Sequence, residues 1–92
     1  MNEIDVKIMM PEGLHLRPAM QISDLANQFA SEIIIKNGDK MVNGKSMMEV
    51  MTLMVPSGGT IRIEACGEDA MQALEALRCL IEVTLVAEAG GA

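Results

Sequence analysis

Ile33-Ile34-Ile35-Lys36-Asn37-Gly38-Asp39-Lys40-Met41-Val42-Asn43 is the stretch that decides the fold. Three consecutive β-branched residues are too short a run for a helix, and the Asn37-Gly38 pair supplies the positive φ values of a tight hairpin. Lys40 to Asn43 then returns as a short strand. Upstream, from Leu16 to Phe29, Ala19, Ile22, Ala26 and Phe29 step by three and four, which predicts an amphipathic helix with Pro18 tolerated in its first turn. Leu16, Met20, Asp24 and Asn27 occupy its other face. Further upstream, Ile4, Val6 and Ile8 alternate with Asp5 and Lys7, the pattern of a strand with one buried face, and Pro11 and Gly13 end it.

Downstream of the hairpin, Ser46 with Glu49 three residues on forms a capping box that opens a second, short helix through about Met54. Pro56, Ser57, Gly58 and Gly59 make a loop. Ile61, Ile63 and Ala65 alternate with Arg62 and Glu64 as a fourth strand. Gly67 and Asp69 precede a last helix with the stripe Ala70, Leu74, Leu77 and Ile81. The order β-α-β-β-α-β-α predicts an α+β fold, an open-faced β-sandwich: a four-stranded antiparallel sheet with three helices on one face. Residues 1–88 are expected to form one domain, and residues 89–92 a disordered tail.

The 92 residues suffice for one small core, and Phe29 is the single aromatic, so Ile, Val, Leu, Ala and Met must fill it. A net charge of −6 argues against nucleic acid, which demands a surplus of Lys and Arg. Position matters too: from residue 61 onward Arg62 and Arg78 are outnumbered by Glu64, Glu68, Asp69, Glu75, Glu82 and Glu88. Residues 14 to 48 hold Arg17, Lys36, Lys40 and Lys45 against Asp24, Glu32 and Asp39, so this front is the less negative part and suits an acidic protein partner. No apolar run approaches the roughly 20 residues of a membrane span. No secretory leader pattern opens the chain, and Cys66 and Cys79 lack ligand-like spacing, so a cytoplasmic monomer with reduced thiols and no metal or cofactor is expected.

Gly13-Leu14-His15-Leu16-Arg17-Pro18-Ala19 places one histidine where a loop enters a helix. The unpaired amides of a first turn and the positive end of the helix dipole favour an anion there. A phosphoryl group on the imidazole would accept bonds from the N–H groups of Leu16 and Arg17 and pair with the Arg17 guanidinium. By spacing alone, a histidine that merely caps a helix or sits on the surface is the commoner case. A metal site lacks a second histidine, and a nucleophilic triad has no support.

The same heptapeptide resembles the phosphohistidine motif of the HPr family, the phosphocarriers of the bacterial sugar phosphotransferase system. Lys45-Ser46-Met47-Met48-Glu49-Val50-Met51-Thr52-Leu53 resembles that family's second signature, at the same separation from the histidine. The similarity extends over nearly the whole chain. It implies that His15 is phosphorylated on Nδ1 by enzyme I, itself charged from phosphoenolpyruvate, that Arg17 assists, and that an enzyme IIA domain receives the group. It also implies that Ser46 is the serine which an HPr kinase/phosphorylase modifies in some bacteria. Leu16 departs from the smaller residue often found after the histidine, and Glu49 and Met54 stand where glycine is common.

Ser46 has two readings of equal weight, a cap alone or a cap that is also a regulatory phosphosite; Glu49 nearby would oppose the phosphate. The second helix is apolar almost all round, more than one stripe can bury. Met47, Met48 and Met51 are therefore expected to join Leu16 and Met20, with Asp24 and Asn27, as a partner-docking surface in which flexible thioethers fit unlike partners; the alternative is that methionine merely fills the core. Three functions follow: a phosphoryl carrier, a chiefly regulatory or nitrogen-branch relative acting by protein contact, and a ligand-binding module sharing only the topology.

Overall fold

The computed structural model describes residues 2–90. Strands β1 (Asn2–Lys7), β2 (Glu32–Asn37), β3 (Lys40–Asn43) and β4 (Thr60–Cys66) form one antiparallel sheet in the order β1-β4-β2-β3. Helices α1 (Leu16–Ala26), α2 (Met47–Met51) and α3 (Ala70–Cys79) intervene as the hydropathy pattern predicts. The inward residues of each strand, Val6, Ile33, Ile35, Val42, Ile61, Ile63 and Ala65, are buried against Ala19, Ile22, Val50 and Leu77 of the helices. The outward residues carry charge instead: Arg62 bonds Asp5 at 2.9 Å and Lys36 pairs with Glu64 at 2.6 Å. A helix-covered face and a solvated face follow from that period-two alternation.

Several boundaries differ from the sequence reading. In the hairpin, Asn37 pairs with Lys40 as part of the ladder, and Gly38 supplies the positive φ of 61°. Helix α1 stops at Ala26, not Phe29, because the Asn27 side chain donates to the carbonyls of Ser23 (2.8 Å) and Lys45 (2.9 Å), tying the end of α1 to the approach of α2. Helix α2 ends at Met51, and Met54 lies beyond it at a φ of 52°. Half of the expected capping box forms: Ser46 Oγ accepts from Glu49 N–H at 3.3 Å, while the Glu49 carboxylate accepts from the Asn43 N–H at 3.1 Å.

The last helix is longer than expected. After α3 the chain continues through a π-helical stretch, Leu80–Thr84, into α4 (Leu85–Gly90). The wider turn slows the rotation of the helix face, so Leu77, Ile81 and Leu85, spaced by four, are all buried. Ala89 and Gly90, placed in a disordered tail by the sequence, are thus helical, and residues 91 and 92 lie outside the described residues.

Asp69 precedes α3, yet its carboxylate does not cap that helix. It reaches across the domain to accept from the N–H groups of Ala30 (2.8 Å) and Ser31 (2.9 Å) and from the buried Ser31 hydroxyl. Gly67 makes the approach possible, because a Cβ there would collide with Ser31. The Ser31 hydroxyl first, and then the Ala30 N–H, hold the Asp69 carboxyl below its ordinary value of 3.8. Its stabilising contribution is therefore complete above that value and is lost as pH falls through the lower folded value. Urea midpoints measured from pH 6 to pH 2 should show the gap between wild type and Asp69→Asn narrowing at the acid end.

Candidate functional site

The loop entering α1 is held by two backbone bonds, Gly13 N–H to the Met10 carbonyl (2.9 Å) and Leu14 N–H to the Val55 carbonyl (2.8 Å). Gly13 has a φ of 73°, and a Cβ there would collide with the Val55 carbonyl oxygen. Only glycine satisfies both constraints. Leu14 is buried below the loop, so the next residue, His15, is directed outward.

His15 is the N-cap of α1, but its ring makes no capping bond. Nδ1 lies 3.0 Å from the Gly13 carbonyl oxygen, and Nε2 lies 3.9 Å from the Glu12 carboxylate. Among the described residues the N–H groups of Leu16 and Arg17 have no acceptor, Pro18 has no N–H, and the first helical bond runs from Ala19 N–H to the His15 carbonyl at 3.0 Å. Two free amides and the positive end of an 11-residue helix thus lie beside an exposed imidazole and an exposed guanidinium. That arrangement favours a tetrahedral anion. One detail differs from expectation: Nδ1 faces a carbonyl, where it must carry a proton, and not the free amides.

The ring borders an open cleft of about 250 Å³ lined by Glu12, Arg17 and Gln21 together with Leu85, Glu88 and Ala89 of α4. Periodicity had no means of placing α4 here, since the wall comes from the far end of the chain. Among the expected docking residues, Leu16 is 54% exposed and Met48 76%, and Met20 and Met51 are also exposed on the two packed helices. Asp24 is exposed as well. Met47 is half-buried and packs on the core, and Asn27 spends its amide on the link to Lys45. Met54, absent from the expected surface, is its most exposed neighbour in sequence at 81%.

Residues 2–83 match the family model described as the PTS HPr component phosphorylation site. The chain belongs to the HPr family of phosphocarriers. It is 43% identical to the phosphocarrier protein HPr of Haemophilus influenzae over 84% of this chain and 91% of that protein. It is also 43% identical to the HPr-like protein Crh of Halalkalibacterium halodurans, over 89% of this chain and 98% of the relative. The crystal structure of an HPr from Thermoanaerobacter tengcongensis superposes with a TM-score of 0.88 at 38% identity, covering 92% of this chain and 96% of that one. Among the described residues no helix is long and apolar enough to cross a membrane.

Two substitutions probe how this HPr-family site is built. Gly13→Ala should lower the unfolding free energy by about 2 kcal/mol, from the left-handed backbone and the collision with Val55, as read by urea denaturation. Met54→Gly should raise it by about 0.5 to 1 kcal/mol, because the left-handed strain disappears while an exposed side chain gives up little burial.

Proposed function

We propose that this chain carries a phosphoryl group on His15 from phosphorylated enzyme I to an enzyme IIA domain. The observation that supports this most directly is the uncapped start of α1, where the N–H groups of Leu16 and Arg17 await an acceptor beside the exposed ring. For Nδ1 to attack, the side chain turns away from the Gly13 carbonyl and the Nδ1 proton is exchanged through solvent for one on Nε2, which frees the Nδ1 lone pair. The Nδ1 lone pair then forms the N–P bond as the donor's bond to phosphorus breaks, the electron pair of that bond returning to the donor. The free amides and Arg17 take up the phosphoryl oxygens. Discharge to the acceptor reverses these roles, and the exposed Leu16, Met20, Met48 and Met51 provide the docking face.

Incubation with phosphoenolpyruvate and enzyme I should label one acid-labile, base-stable site. His15→Ala should abolish the label and Arg17→Ala should slow its appearance about tenfold or more. An unlabelled wild-type chain would refute the carrier role.

A second reading is favoured by Ser46, whose hydroxyl oxygen sits at the N-cap of α2, and by the similarity to Crh. In it, an HPr kinase/phosphorylase modifies Ser46 and the product acts by protein contact. The Glu49 carboxylate, engaged by Asn43 N–H, leaves a negative charge within the same turn that such a phosphate must tolerate. ATP and the kinase should yield an acid-stable phosphoserine that Ser46→Ala removes.

A further inference from the structure

The cleft beside His15 has a wall that the family match, which ends at residue 83, does not include. Leu85 anchors that wall in the core at 3% exposure, and Gln21 of α1 donates its side-chain amide to Glu88 Oε1 at 3.3 Å. Glu88 is therefore held at the rim of the cleft that His15 and Arg17 line. A carboxylate there repels a phosphoryl dianion on His15 and competes with it for the Arg17 guanidinium, two effects of the same sign.

We propose that Glu88 is a tuning residue for His15: its carboxylate raises the tendency of the phosphorylated ring to give its phosphoryl group away. The inference rests on the carrier role proposed above. Exchange between two carrier copies through enzyme I balances: one N–P bond breaks, its electron pair returning to that ring, and an equivalent N–P bond forms on the other, each ring keeping its Nε2 proton. The position of that equilibrium reads the environment of the phosphoryl group and not the rate of docking.

Isotopically labelled wild type mixed with unlabelled Glu88→Gln, catalytic enzyme I and limiting phosphoenolpyruvate should leave the variant carrying about three- to tenfold more phosphoryl than wild type at low salt, by intact-protein mass spectrometry. The preference should shrink at 1 M salt, where the Debye length is about 3 Å. Glu75→Gln removes the same charge from α3, beside Asn2 and Glu3 at the opposite end of β1 from the His15 loop, and should partition equally with wild type. Equal partition of Glu88→Gln, or the same bias in Glu75→Gln, overturns the tuning role alone. Failure of both proteins to be phosphorylated overturns the carrier role, and this inference with it.

Discussion

Everything at the site depends on the docking of Gly13 and Leu14 against Val55. The Leu14 N–H bond to the Val55 carbonyl, together with a glycine that has no Cβ to obstruct it, pins the entry of α1 to the loop that follows α2. With Leu14 buried beneath, His15 has no course but outward, at the point where the helix has amides to spare. Ser46 at the start of α2 shows the contrast. There a hydroxyl satisfies the first turn, whereas at α1 the N-cap side chain turns to the Gly13 carbonyl and the first turn stays open. An unsatisfied helix start that is exposed costs little, since water serves it, and it is ready for an anion.

Charge around the ring is mixed, and this suits a carrier better than a purely attractive pocket would. Arg17 and the free amides bring positive charge to the ring, while Glu12 and Glu88 border the same cleft with the opposite sign. A site that bound its cargo too well would hold it. Met54 carries a comparable compromise: it keeps a left-handed backbone that glycine would adopt without strain, and presents a large thioether to solvent.

Much of this was legible in the residues themselves. Alternation in Ile4, Val6, Ile8 and in Ile61, Ile63, Ala65 identifies the strands and their inner face, and the three-and-four spacing of Ala19, Ile22 and Ala26 identifies α1. His15 and Arg17 at a helix start pointed to anion chemistry, and the family match bears out the HPr resemblance drawn from the motifs around His15 and Ser46. Less was legible where a residue's partner lies far along the chain. Asp69 has the appearance of a helix cap and instead reaches Ser31, and the Asn27 amide ties α1 to Lys45, a link that no local spacing announces.

Local pattern by itself determined the elements, their buried faces and the exposed histidine, because backbone propensity and side-chain periodicity act over a few residues. Only the tertiary structure decided that β4 lies between β1 and β2, that the ring rests on the Gly13 carbonyl, and that Glu88 from the C-terminal helix shares a cleft with His15. Those arrangements come from how the packed core brings distant segments together. No spacing within one segment encodes them.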